Sequence, residues 1–230
     1  MKHLARDLEY LKRQLLTVGG IVEEAFNQAL NALLNRDASV AKSLAAVDDV
    51  IDAKEVEVEE HCLKVLALHQ PVAADLRFIV AVMKVNNDLE RIGDMAVNIA
   101  ERAATLAQRP PMPVPPDFVR MAEIVRRMVR ESLDALVNQD TSLARKVCAD
   151  DNDVDSIHRT MYDYIQNIMS KDSAVIPSAI QTLSASRHLE RIADLATNIA
   201  EDVVFMVEGE VIRHRHPEKA NGAGPPPTSN

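Results

Sequence analysis

The 230-residue chain is 47% hydrophobic yet only 3% aromatic, with six Gly and no Trp, so its core must be built from Ala, Leu, Val, Ile and Met. Those volumes suit close packing between helices and make a sheet-rich fold a poor expectation. The 26 Lys and Arg against 35 Asp and Glu leave a net charge of −9, which argues against a general nucleic-acid binder, because phosphate contacts need concentrated positive charge.

Leu4, Leu8, Leu11, Leu15, Val18, Val22, Ala25, Ala29 and Leu33 recur at three- and four-residue steps and predict a first helix over about 4–35. Gly19-Gly20 falls in its middle, where each Gly costs about 1 kcal/mol relative to Ala and leaves room for a bend. A second helix starts near Asp37 or Ser39 and ends near His69, before Pro71. A third runs from about Val72 to Ala107. The Pro-rich stretch Arg109–Asp117 then removes helical donors and favours an extended connection. Beyond it come a fourth helix capped by Asp117, a fifth over about 141–169, and a sixth over about 174–212 with Pro177 in its first turn. Residues 213–230 have almost no apolar content and are expected to be disordered.

The halves repeat one another. Leu89–Glu101 and Leu189–Glu201 agree at ten of thirteen positions, and Ala32–Asp37 resembles Ala135–Asp140. Duplicated helical units predict an all-α fold of two tandem, internally homologous three-helix bundles: 1–108, a linker 109–116, and 117–212, followed by the tail 213–230.

The chemistry is concentrated in the last helix of each repeat. Glu90, Asp94 and Asn98, and again Glu190, Asp194 and Asn198, are spaced by four and lie on one face, which Glu101 and Glu201 extend. A tight turn at 70–71 brings Asp52 opposite Leu89 and Asp48 to the level of Gly93. In the second hairpin, Asp151 and Asp155 meet the stretch 189–193 in the same way. Facing carboxylates repel unless cations, protons or donors offset them, and oxygen-rich sites recruit hard or borderline metals. One metal site is therefore expected from Glu90, Asp94, Asp48 and Asp52 and a second from Glu190, Asp194, Asp151 and Asp155, with Asn98 and Asn198 as neutral donors. Iron, manganese, zinc and magnesium are the candidate ions. The same spacing also fits a solvated face, and Arg91 and Arg191 could make it an ion-pair ladder.

His61 and His158 stand near acidic turns, but a surface or hydrogen-bonded role suits them better than metal ligation. His69, His188, His214 and His216 form no HExxH pattern. Cys62 and Cys148 lack CxxC spacing and suit a reducing compartment as small hydrophobes. No apolar run approaches the roughly 18 residues of a membrane span, so a soluble protein is expected. The chain has no Ser-His-Asp or Cys-His arrangement and no Gly-rich phosphate cradle. Its Glu-x-x-x-Asp pattern differs from the Glu-x-x-His pairs of ferritin-like oxidases, so no catalytic residues are expected.

Asp75-Leu-Arg77, Asp88–Asp94 and Arg187–Asp194 resemble the hallmark stretches of the PhoU family, and the similarity extends over about 5–212. The resemblance implies a cytoplasmic, non-enzymatic negative regulator of phosphate uptake and of the phosphate-starvation regulon. It implies the phosphate ABC transporter ATPase subunit and a phosphate-sensing histidine kinase as partners, peripheral association with membrane complexes, a homodimer, and metal at the Glu-x-x-x-Asp motifs. Asp75 and Arg77 become candidate docking residues, with no counterpart in Val175-Ile-Pro177. Direct nucleic-acid binding is not expected. Phosphate sensing is expected to lie elsewhere, because an anion meets an unfavourable field unless metal or local Arg inverts it. A metal-handling or metal-storage protein is the second reading, and a carboxylate-bridged metalloenzyme the third.

Overall fold

In the computed structural model, which describes residues 2–113, 115 and 117–212, the apolar spacings produce six long helices. The first repeat contains α1 (Lys2–Asn35), α2 (Ala41–His69) and α3 (Ala73–Ala107). The second contains α4 (Phe118–Asn138), α5 (Thr141–Lys171) and α6 (Ile176–Glu208), with a 3-10 turn at Ser173–Val175 before α6. The expected tail 213–230, and positions 114 and 116 of the linker, lie outside the described residues.

The turns are made by short polar side chains and left-handed backbone. Gln70 ends α2 at φ 45° and donates its N–H to Leu66 O, just before Pro71. Gln139 ends α4 at φ 52°, and the Asp140 carboxylate then accepts from the N–H groups of Ser142 and Leu143, which starts α5. Asp117 precedes α4 but its side chain makes no capping hydrogen bond, because the residue sits at φ −90°, ψ 0° rather than in the extended conformation a cap needs. The sixth helix is shorter than expected: Gly209, at φ 75°, closes it after Glu208.

α1 is continuous through Gly19-Gly20. α4 comes close at Gly19, where a Cβ would lie 2.9 Å from Leu133 Cδ2 of the other repeat. The glycine makes room for a neighbour.

The two bundles share one continuous core, running from Leu11 and Phe26 in α1 to Ile199 and Val203 in α6. Contacts between α3 and α6 are as extensive as those between α3 and α1 within a repeat. α3 and α6 run antiparallel: Lys84 Nζ meets Asp202 Oδ1 at 3.0 Å toward one end, and Arg102 lies beside His188 toward the other. The repeats are thus related by a pseudo-two-fold axis between these helices. α2 and α5 pack on the outer sides of α3 and α6, the arrangement that sets the carboxylates face to face. The linker is docked on the second repeat, with Met112 buried and Pro110 O accepting from Ser178 Oγ at 3.3 Å.

Candidate metal centres

α2 comes close to α3 at Gly93, where α3 has no side chain. A Cβ on Gly93 would sit 3.0 Å from Ile51 Cδ1 and 3.4 Å from Asp48 Oδ1. That contact seats Asp48 beside Asp94 and Asp52, the level the hairpin geometry predicts. Burial, and after it the charges of Asp94, Asp52 and Asp49, push the Asp48 carboxyl from 3.8 up to about 6. Glu90 is raised by burial and then by Asp94, Asp52, Glu55 and Asp48, and Asp94 by burial and Asp52. The four acids therefore share one electrostatic environment. Asn98 turns away from them in part: its Nδ2 donates back to Asp94 O at 2.8 Å.

The second repeat reproduces this arrangement. Burial, then Asp194, Asp155 and Glu190, raise Asp151 from 3.8 to about 6, with the nearby Thr197 hydroxyl opposing the rise. Glu190 and Asp194 are raised by burial and their acidic neighbours, and Arg191 opposes both shifts. Ala193 stands where the first repeat has Gly93.

Asp48 Oδ1 is buried and has no hydrogen-bond partner. A buried carboxylate oxygen left unpaired among like charges is costly, and a cation is the group that would satisfy it. The donor set, all oxygen, fits hard or borderline ions such as magnesium, manganese or iron. Among the described residues, no group of three or more His, Cys, Asp or Glu side chains is placed so as to hold a metal ion. The carboxylates are gathered, with Asp52 exposed at the rim.

The ion-pair ladder does not form as the sequence spacing allows. Arg91 reaches Asp88 at 3.8 Å rather than Glu90 or Asp94, and Arg191 makes no ion pair within 4.0 Å among the described residues. Both arginines border a cleft of about 440 Å³ between the repeats. Its walls are three duplicated pairs: Arg91 and Arg191, Asp94 and Asp194, Met95 and Leu195. Thr197 and Asn198 complete it. Arg91 and Arg191 figured in the sequence only as neutralising groups; their recurrence at one offset was the available signal that they share a place.

The histidines have other employment. His61 stacks on Tyr10 with ring centroids 4.5 Å apart, His158 Nδ1 lies 2.7 Å from Ser186 Oγ, and His69 Nε2 lies 3.0 Å from Asp7 Oδ2. Cys62 is buried, and burial raises both its thiol and that of Cys148, to about 12 and about 11, which suits packing rather than reactivity.

Asp75 and Arg77 lie away from the carboxylates, in the first turns of α3. They border a cleft of about 510 Å³ that includes Glu9 and Lys12 of α1 and Val207 of α6. The Arg77 guanidinium lies against Gly209, 3.6 Å from where a Cβ would be, so a cation covers the C-terminal end of α6.

The PhoU domain family matches the chain twice, over residues 15–103 and 118–203. A "phosphate-specific transport system accessory protein PhoU homolog" of Aquifex aeolicus is 39% identical over 213 residues, covering 93% of this chain and 96% of that one. The crystal structure of PhoU from Pseudomonas aeruginosa superposes with a TM-score of 0.87 at 38% identity, covering 90% of this chain and 99% of that one. The phosphate transport system regulatory protein PhoU from Streptococcus pneumoniae superposes with a TM-score of 0.83 at 28% identity, covering 90% and 98%.

Proposed function

The chain belongs to the PhoU family, and on that premise we propose that it is a metal-binding cytoplasmic adaptor that restrains phosphate uptake and keeps the phosphate-starvation regulon repressed. It would link the phosphate ABC transporter, through its ATPase subunit, to a sensor histidine kinase. The observation that carries this reading is similarity over nearly the whole length, in both sequence and structure, to relatives described as accessory or regulatory proteins of phosphate transport. Both repeats, and the seam between them, lie within that similarity.

The role is non-catalytic. A rigid helical surface serves an adaptor by holding docking groups in fixed register, while charge favours encounter with basic partner regions. The Asp75 and Arg77 cleft draws on α1, α3 and α6, so a partner seated there would touch both repeats. Two copies of the chain would double that surface.

The carboxylate clusters would hold the metal: Asp48, Asp52, Glu90 and Asp94 in one, Asp151, Asp155, Glu190 and Asp194 in the other, with Asn98 and Asn198 beside them. The orphaned Asp48 oxygen supports this assignment. A bound cation would neutralise the repulsion between α2 and α3, and between α5 and α6, and so stiffen each bundle. It also serves the second reading, metal handling, which predicts metal retention without a partner.

Deletion of the gene should raise alkaline phosphatase under high phosphate; an unchanged level counts against repression. A high-phosphate pull-down should recover the transporter ATPase or the kinase with the wild-type chain and lose it with Asp75→Ala/Arg77→Ala, thermal melting confirming that the variant is folded. Titration of metal-stripped protein with iron, manganese, zinc and magnesium should give saturable binding that Asp94→Ala and Asp194→Ala each reduce by half.

A further inference from the structure

The end of the molecule where α2 turns into α3 exposes large apolar side chains. Leu68, in the last turn of α2, is 66% exposed; Val72, the residue before α3, is 74% exposed; Leu76, early in α3, is 40% exposed. They flank a turn that is itself fixed, with Pro71 buried and Gln70 in the left-handed conformation at φ 45°. Apolar groups gathered at one end and rimmed by polar residues mark an interaction surface.

The rim is cationic, in a chain whose net charge is −9. Leu68 shares a cleft of about 250 Å³ with His3 and Arg6 of α1 and Lys64 and His69 of α2. Asp7 is the carboxylate that lines it, and His69 Nε2 at 3.0 Å and Arg6 Nε at 3.6 Å already engage it. The Arg6 side chain still stands 73% exposed, and Lys64 makes no ion pair within 4.0 Å among the described residues. On the α3 side the acid is Asp75, with Arg77 two positions on. α6 finishes at this same end, where Gly209 lies beside Arg77, and its acids Glu208 and Glu210 are held by Arg145 at 2.7 and 3.9 Å. Past Ile212 the sequence adds Arg213, Arg215 and Lys219 against Glu218 alone.

We propose that this end is a peripheral membrane-docking surface: Leu68, Val72 and Leu76 enter the interface of an anionic bilayer while Arg6 and Lys64 meet its lipid phosphates. The contact is direct. It needs neither the transporter, the kinase nor metal at the carboxylate clusters, and so goes beyond the reading above. Side chains carried outward by a tight turn form a prominence rather than a groove, which suits a yielding, planar surface. A bilayer takes apolar side chains into the boundary between headgroups and acyl chains, and its anionic lipids attract Lys and Arg held near that surface. No helix among the described residues is long and apolar enough to cross a membrane, so the contact stays at the interface. The carboxylate flanks of the two hairpins are repelled by the same lipids, and charge therefore orients the chain with this end down.

The test is flotation of the full chain, free of partner proteins, with vesicles of phosphatidylcholine containing about 30% phosphatidylglycerol. Binding is expected, and it should fall about tenfold or more as salt rises from roughly 0.1 to 0.5 M, or when the vesicles are phosphatidylcholine alone. Leu68→Ser/Val72→Ser and, separately, Arg6→Glu/Lys64→Glu should each weaken it about tenfold or more, with thermal melting confirming that both variants are folded. Ile180→Ser, which alters a side chain 53% exposed near the start of α6 at the opposite end, should leave binding as it is. A chain ending at Ile212 should still bind; complete loss there would assign the contact to the tail alone and overturn the proposal. Equal binding to phosphatidylcholine alone, or an equal loss in Ile180→Ser, would mean unspecific adsorption and overturn it as well. A folded chain that ignores anionic vesicles, or that binds them unchanged after both double substitutions, overturns it and leaves the exposed end to a protein partner. The adaptor reading fails separately, because alkaline phosphatase and the pull-down judge it.

Discussion

Asp48 shows at residue scale how a neighbourhood, rather than a motif, makes a site. Its carboxyl is held at about 6 against 3.8 for the free group, so between those values the folded chain binds more protons than the unfolded one. The stabilising contribution is complete below about pH 4 and is lost as pH rises through 6. Asp48→Asn removes that loss. Metal-stripped Asp48→Asn protein should be more stable than wild type at pH 7, by on the order of 1 kcal/mol after allowing for solvent screening, and the difference should vanish near pH 4. Thermal melts from pH 4 to 7 measure it, and a gap that does not change with pH would show that Asp48 is not the group responsible. The spacing Glu90, Asp94, Asn98 is legible in sequence because it lies within one helix. The orphaned oxygen of Asp48 is not, because it depends on where Ile51 and the bare backbone of Gly93 let α2 settle.

Among the elements, the paired glycines of α1 separate two uses of one residue. Gly19 lies under Leu133, whereas a Cβ on Gly20 meets nothing within 4 Å. Gly20→Ala should therefore stabilise the protein by about 0.5 to 1 kcal/mol through helix propensity alone. Gly19→Val should be destabilising, because its bulk must displace Leu133 in the shared core. Chemical denaturation of the two variants tests the contrast, and equal effects would refute the packing role of Gly19. The sequence marks the pair as weak points because propensity is local; the packing of Leu133 over Gly19 follows from long-range contact, which propensity does not contain. Helix ends behave similarly. Asp140 caps α5 as its type allows, but Asp117, equally suited by type, makes no cap because the chain leaving the Pro-rich linker enters α4 in a near-helical conformation.

For the whole molecule, the main consequence is that two repeats make one folding unit. The seam between α3 and α6 is as closely packed as the seams inside each bundle, and it contains a buried Asp202 held by Lys84 across the repeats. A truncated chain of residues 1–108 would expose the α3 face that α6 covers. The full chain should unfold in a single cooperative transition, while the isolated half should be destabilised or associate. Calorimetry of both decides this. Two resolved transitions in the full chain would mean that the bundles are energetically independent.

The sequence by itself determined the six helices, their duplication, and the placing of acids on facing sides of each hairpin, because helical periodicity and short turns are local and repeat-to-repeat identity is visible in one chain. Only the tertiary structure decided that α3 and α6 pack antiparallel and that Arg91 and Arg191, with Asp94 and Asp194, border one cleft. Those outcomes depend on how the apolar faces of residues a hundred positions apart fit together, and no periodicity within a single helix encodes that fit.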